Sequence, residues 1–170
     1  STSEKEPAEL GELIKVATTV ARNEWKYVAD LAIDVDPQLP PVPCLRDEIG
    51  QVIMNLVVNA AHAVGDVVRA RGEGKGAITI RARRDGDMAE IRVQDSGTGI
   101  PDAIRARVFD PFFTTKPVGR GTGQGLAICY AIVIEKHQGQ IFFESVEGKG
   151  TTFVVRLPLG AHAPAAVSCA

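Results

Sequence analysis

The stretch between residues 110 and 126 most constrains the fold, because closely spaced glycines lead directly into an apolar run. Four glycines fall within seven residues: Gly119, Gly121, Gly123 and Gly125. Glycine lacks a Cβ atom, so this backbone can curl and turn its N–H groups inward. A helix beginning near Gly123 adds unpaired N–H groups and a positive dipole end. The pattern predicts a phosphate-chain site, although a glycine-rich surface loop explains a lone motif of this kind equally well.

Composition and charge are those of an ordinary globular chain. Of the 170 residues, 45% are hydrophobic, which suits one domain with a sizeable core. Lysine and arginine number 19 against 21 acidic residues, so the formal charge is −2 and we expect no nucleic-acid partner. Three widely separated cysteines argue against a disulfide framework or a zinc site. They favour a reducing, cytoplasmic setting.

Apolar segments and the chain start give two further expectations. The longest apolar run, residues 52–64, is interrupted by two asparagines and a histidine, so we expect no segment able to span a bilayer. No basic-then-apolar signal peptide opens the chain. Because the chain starts at Ser1 rather than Met, we expect it to be a piece of a larger protein.

Hydrophobic periodicity predicts a chain that mixes helices and strands. The expected helices cover residues 8–24, a long segment from 47 to about 67, 102–108 and 123–137. The expected strands cover residues 27–34, 77–84, 88–94, 140–146 and 151–157. Residues 1–7 are expected to fray, and the proline-rich residues 36–43 to form a stiff connector. Residues 111–121 show little periodicity and are a candidate lid.

The long helix carries two asparagines on an otherwise apolar face. Asn55 and Asn59 lie four residues apart, one turn above the other. A buried amide costs free energy unless it is paired, and a bond to nearby backbone explains a single one. Two stacked amides indicate a polar site, and carboxamide oxygens are ligands that Mg²⁺ accepts beside phosphate and water. His62 follows one turn later, where a structural role is the commoner one.

Asp95 ends a predicted strand and is followed by two spaced glycines. Gly97 and Gly99 would let a flat ligand approach the backbone closely. The carboxylate can accept a hydrogen bond from an amino group such as the exocyclic amine of adenine. An Asx-turn that closes the strand explains the same residues equally well.

Two further side chains are weaker candidates. Lys116, in the candidate lid, either reaches a phosphate as a point charge or remains solvated. Thr151 begins the last strand, where a structural role is favoured over a water-mediated contact with a base. Three phenylalanines near the lid are expected to fill a small satellite core.

Four motifs in order resemble the ATP-binding catalytic domain of sensor histidine kinases. They are Asn55-Leu-Val-Val-Asn59-Ala-Ala-His62, Asp95-Ser-Gly-Thr-Gly99, Phe109-Asp-Pro-Phe-Phe113 with Gly121-Thr-Gly-Gln-Gly125, and Gly148-Lys-Gly-Thr151. They are similar to the N, G1, F/G2 and G3 boxes of the GHKL superfamily, which includes gyrase, Hsp90 and MutL. The resemblance runs from about Leu10 to Leu159 and is strongest to the nitrogen-regulator-like branch.

The resemblance implies a fold and a domain. The fold is α+β, the two-layer α/β sandwich called the Bergerat fold. Its mixed five-stranded sheet carries three main helices on one face and an ATP lid. Residues 1–159 would form this catalytic domain, and residues 160–170, rich in alanine and proline, are expected to be a disordered tail.

The resemblance also implies a role for each site residue. The ATP-binding set would be Asn55, Asn59, His62, Asp95, Gly97, Gly99, Ile100, Lys116, Gly121, Thr122, Gly123, Gln124, Gly125, Leu126 and Thr151. Asp95 would bind the adenine amine. Asn59, helped by Asn55, would hold Mg²⁺, and these two are the implied catalytic residues. Many family members carry Lys or Arg in place of His62, so its phosphate contact is the weakest assignment.

The implied chemistry is transfer of the ATP γ-phosphoryl group to a histidine on a separate helical dimerisation domain. The family's hydrolases carry a glutamate where this chain has Asn55, and an amide cannot serve as a general base, so we expect slow ATP hydrolysis. None of the three histidines lies in a phosphoacceptor-like helix, so we expect no autophosphorylation of this chain alone.

The implied partners are the helical phosphoacceptor domain of the same protein and a response-regulator receiver domain. The isolated domain is expected to be monomeric and cytoplasmic, whether or not the full-length protein is attached to a membrane. Two alternatives remain open. One is an ATPase or conformational clamp like gyrase or Hsp90, and the other is a nucleotide-binding module without catalysis.

Overall fold

The computed structural model describes residues 4–111, 113 and 125–160. In chain order its strands are β1 (Glu6–Ala8), β2 (Ala29–Val35), β3 (Val42–Cys44), β4 (Gly76–Asp85), β5 (Met88–Asp95), β6 (Gln140–Val146) and β7 (Gly150–Pro158). Its helices are α1 (Leu10–Val20), α2 (Arg22–Trp25), α3 (Arg46–Arg71) and α4 (Gly125–Tyr130). A 3₁₀ helix covers Asp102–Arg107, and π-helical turns over Ala131–Lys136 extend α4.

Five strands form one mixed sheet in the order β2-β4-β5-β7-β6. β2 pairs in parallel with β4, and the remaining neighbours pair antiparallel. Helices α1 and α3 and the π-helical extension of α4 pack against this sheet and share one hydrophobic core. The predicted two-layer α+β fold with a mixed five-stranded sheet is therefore confirmed.

Residue alternation along β5 shows how the sequence separates the two faces of the sheet. Ala89, Ile91 and Val93 are at most 1% exposed and join the core beneath the helices. Burial of a larger aliphatic side chain, such as that of Ile91 or Val93, stabilises the fold by roughly 1.5–3 kcal/mol. The intervening residues, Glu90 and Arg92, belong to the opposite face.

That opposite face carries an ion-pair network centred on Glu90, which is only 4% exposed. Its carboxylate lies 3.2 Å from Arg92, 2.6 Å from Arg156 and 3.4 Å from Arg83. Burial opposes ionisation of Glu90, but hydrogen bonds from Arg92 and Arg156 outweigh it and hold its pKa below the ordinary value. The network therefore neutralises a charge that would otherwise be costly to bury.

Two expectations about the N-terminal third were wrong. The structure pairs β1 with β3 antiparallel, so residues expected to fray form a strand, and the end of the expected stiff connector forms another. Pro7 lies opposite Pro43, so both missing N–H groups fall in one pair of the short ladder. The predicted helix over residues 8–24 is also divided, because α1 ends at Val20 and the short α2 follows.

Helix α3 corrects the expectation about membrane-spanning segments. By length and composition alone it is apolar enough to cross a membrane. In this fold its buried residues, including Ile49, Ile53 and Leu56, belong to the core that α3 shares with α1 and the sheet. A core helix passes the same test, so the length and composition of α3 are weak grounds for membrane insertion.

Candidate nucleotide site

The carboxylate of Asp95 lies at the end of β5 and is 6% exposed. Its Oδ1 accepts the backbone N–H of Gly97 at 2.8 Å, and the backbone N–H of Thr151 also donates to the carboxylate. Burial raises the pKa of Asp95 to about 6, and these two hydrogen bonds oppose the rise only in part. At neutral pH the carboxyl group is therefore mostly ionised and can only accept hydrogen bonds. Its burial shields it from most of the solvent.

The two glycines after Asp95 lie where a side chain cannot fit. A Cβ atom on Gly97 would lie 2.5 Å from the Cβ of Ala63 on α3. Gly99 has φ +75°, and a Cβ there would overlap the carbonyl oxygen of Val146. The chain after β5 is thus pressed between α3 and the end of β6, which explains the glycines by packing.

The contact between Gly97 and Ala63 fixes where the two asparagines lie. Asn55, Asn59 and Ala63 are spaced by four residues, so they share one face of α3. Ala63 meets the Gly97 loop, which places half-buried Asn59 one helical turn from Asp95, Gly97 and Thr151 (the Asp95 cluster) and Asn55 two turns away. The structure therefore brings the predicted Mg²⁺-binding face and the predicted base-binding carboxylate to one side of the sheet.

Asn55 contacts the helix that follows the candidate lid. Its side chain hydrogen-bonds Cys129 of α4, whose thiol also lies 3.8 Å from the carbonyl oxygen of Val52. Cys129 is fully buried, and burial raises its pKa to about 12. The group beside Asn55 is consequently a neutral thiol at physiological pH, which is neither an anionic ligand nor a base.

The remaining predicted residues fall into two groups. The Nε2 atom of His62 lies 3.4 Å from the Glu24 carboxylate on α2. Ile100 and Leu126 are half-buried and pack against the core, and Gly125 begins α4. The positions that lie outside the described residues are Lys116, Gly121, Thr122, Gly123 and Gln124. Their phosphate contacts, like that of His62, stay predictions.

Ser145 is a polar residue of this region that the sequence motifs missed. It lies on β6 opposite Thr151 of β7, and the two hydroxyl oxygens are 2.8 Å apart. Its Oγ also accepts the N–H of Ile100 at 2.8 Å. Only the register between β6 and β7 reveals this contact, because Ser145 belongs to none of the four motifs.

Sequence comparison with known proteins assigns the chain to a family. Residues 44–161 match the family described as histidine kinase-, DNA gyrase B-, and HSP90-like ATPase. Sensor kinase CckA of Brucella abortus is 40% identical, over 76% of this chain and 14% of CckA. The chain spans between 14% and 26% of the length of the curated relatives compared with it.

Solved structures agree with the sequence match. The catalytic domain of histidine kinase ThkA has a TM-score of 0.77 and 31% identity, over 92% of this chain and 96% of that domain. A histidine kinase ThkA chain, solved in complex with the response regulator TrrA, has a TM-score of 0.71 and 29% identity, over 92% of this chain and 42% of that one. The chain therefore belongs to the histidine kinase-, DNA gyrase B- and HSP90-like ATPase family, as a catalytic domain of the sensor histidine kinase type.

Proposed function

We propose that residues 1–159 bind Mg·ATP and present its γ-phosphoryl group to a histidine on a separate helical dimerisation domain. The observation that carries the proposal is the contact between Gly97 and Ala63, which brings the asparagine face of α3 beside the Asp95 cluster. The nucleotide would lie along this face of α3. Its base would be at Asp95 and its phosphates beside Asn59 and Asn55.

The base end suits a purine that carries an amino group. Ionised Asp95 accepts hydrogen bonds, and the exocyclic amine of adenine donates them. Gly97, Gly99 and Ile100 would shape the pocket around the ring, with Thr151 beside the carboxylate. A buried charge-assisted hydrogen bond of this kind is worth roughly 1.5–3 kcal/mol, enough to fix the orientation of the base.

The phosphate end suits Mg²⁺ held by amide oxygens. Asn59, with Asn55 as the second candidate ligand, offers the hard oxygen atoms that this ion accepts beside phosphates and water. The bound ion would supply charge neutralisation for the triphosphate. We propose that Lys116 and the backbone from Gly121 to Leu126 wrap the phosphates, and that His62, whose Nε2 lies 3.4 Å from the Glu24 carboxylate, contributes less.

The residues around Asn55 favour phosphoryl transfer over hydrolysis. Activation of water requires a base, and Asn55 and the neutral thiol of Cys129 provide none. Phosphoryl transfer relies mainly on positioning and electrostatic stabilisation, which these residues can contribute without accepting a proton. We therefore propose slow ATP hydrolysis by this domain and no self-phosphorylation.

The wider assignment extends the family membership to partners and location. We propose that the phosphoryl group passes from the helical phosphoacceptor domain of the same protein to a response-regulator receiver, as the complex of ThkA with TrrA suggests by analogy. We place the domain in the cytoplasm, since Cys44 and Cys129 are buried free thiols that suit a reducing compartment. We expect the isolated domain to be a monomer.

Labelled ATP tests the proposal and its alternatives together. The domain is mixed with the phosphoacceptor domain of its own protein, with Mg²⁺, and the label is followed. Label on the acceptor histidine supports the kinase. Release of free phosphate alone supports an ATPase or clamp, and ATP binding without either product supports a module without catalysis. Asn59→Ala is the matched variant, and it should abolish labelling while leaving Mg²⁺-free ATP binding largely intact.

A further inference from the structure

We infer that Ser145 is a specificity-determining residue, which makes the base end of the site present only hydrogen-bond acceptors and so selects a purine with an amino group at C6. The inference rests on the proposed nucleotide function. Ser145 lies outside the four motifs, and its hydroxyl group lies at the centre of three hydrogen bonds.

The hydroxyl of Ser145 has three polar neighbours within hydrogen-bond distance. Its Oγ lies 2.8 Å from the backbone N of Ile100, 3.1 Å from the carbonyl O of Gly150 and 2.8 Å from the Oγ1 of Thr151. Ile100 follows the glycine loop after β5, and the other two residues begin β7. Ser145 therefore joins the two chain segments that flank the Asp95 carboxylate.

Proton counting leaves one arrangement that satisfies all three contacts. A serine hydroxyl has one proton to donate and two lone pairs that accept. The N–H of Ile100 can only donate to Ser145, and the carbonyl of Gly150 can only accept from it. The single Ser145 proton is thus directed to Gly150, and the Thr151 hydroxyl must donate its own proton to Ser145.

In this arrangement the Oγ1 of Thr151 can accept a hydrogen bond from a further partner but has no proton left to donate. Thr151 lies opposite Asp95 in the ladder between β5 and β7, and its backbone N–H donates to the Asp95 carboxylate. Both side chains at this point then offer only acceptor atoms. The N6 amine of adenine donates hydrogen bonds, whereas guanine and hypoxanthine carry an acceptor oxygen at the same ring position.

Removal of the Ser145 hydroxyl should relax this discrimination. In Ser145→Ala the Thr151 hydroxyl can rotate and donate to a ligand oxygen, so a carbonyl at C6 becomes acceptable. The probe pair is ATP and ITP: ATP carries an amine at C6 beside an acceptor N1, whereas ITP carries a carbonyl at C6 beside an N1–H donor. We expect the ratio of ATP to ITP affinity to fall about tenfold, the equivalent of one ordinary hydrogen bond.

Three variants separate this role from general damage to the fold. Ser145→Thr keeps a hydroxyl and should keep the ratio. Ser96→Ala removes a nearby hydroxyl that accepts the N–H of Ala77 at 2.9 Å and should also keep it. In a Thr151→Val background, which has no hydroxyl to turn, Ser145→Ala should leave the ratio unchanged.

The binding measurements distinguish failure of the inference from failure of the proposed function. An unchanged ATP to ITP ratio in folded Ser145→Ala would overturn the role of Ser145, provided that Asp95→Asn still weakens ATP binding. No effect of Asp95→Asn on any nucleotide would instead overturn the proposed function. If Ser145→Ala does not fold, Ser145→Cys, whose thiol donates only weakly, replaces it, and the same fall in the ratio is expected.

Discussion

Replacement of Asp95 by asparagine should change how the stability of the nucleotide-free domain depends on pH. The carboxyl pKa rises from 3.8 to about 6 on folding, because burial opposes ionisation. The folded state therefore binds this proton more tightly than the unfolded state. The stability that Asp95 contributes is fully present below about pH 4 and is lost as the pH rises to about 6. Two pH units correspond to about 3 kcal/mol.

Urea denaturation of both proteins between about pH 4 and pH 8 measures this difference in the free energy of unfolding. Asparagine does not titrate, so the stability of the wild type relative to Asp95→Asn should fall by up to about 3 kcal/mol across this range. Any pH-independent cost of the substitution cancels in this comparison, as do the groups that the two proteins share. A difference that stays constant with pH would refute the claim that burial governs ionisation of Asp95.

Three further substitutions test the packing and the charges. Gly97→Ala should destabilise the domain by about 1–3 kcal/mol in urea, because its Cβ would overlap Ala63; unchanged stability would contradict this close approach. Glu90→Gln should cost about 1–3 kcal/mol yet leave ATP affinity unchanged, since the ion-pair network is on the other face of the sheet; weaker ATP binding would show that the faces are coupled. His137→Phe removes the acceptor for the Leu45 N–H. Burial lowers the pKa of His137, so the neutral ring stabilises the fold above its ordinary pKa. This stabilisation is lost as the pH falls, so the free energies of unfolding of the wild type and His137→Phe should converge in acid.

Strong periodicity and clear turn residues account for the parts of the fold that the sequence predicted well. The alternating strand β6 was predicted with the bounds that the structure has, Gln140–Val146. The paired strands β1 and β3 were missed because three residues are too few to show a period. The end of α1 at Val20 was also missed, since the apolar pattern continues across Ala21 and only backbone geometry separates the two helices.

Candidate site residues could be predicted where they belong to one continuous sequence pattern. Asp95 lies at a strand end with Gly97 just after it, and Asn55 and Asn59 have helical spacing, so each pair is visible along the chain. Ser145 was not predictable in this way, because its partners come from the loop after β5 and from β7. The contact of Asn55 with Cys129 likewise depends on how α4 packs on α3.

A titration with ATP, followed by the backbone amide signals in ¹⁵N NMR, locates the bound nucleotide on the domain. We expect saturable shifts at Gly97, Gly99 and Thr151, and at Asn59 once Mg²⁺ is added. The amide signals of the ion-pair network on the other face, such as that of Arg83, should not shift. Shifts confined to that other face, or none at Gly97 and Thr151, would contradict a nucleotide bound between α3 and the end of β5.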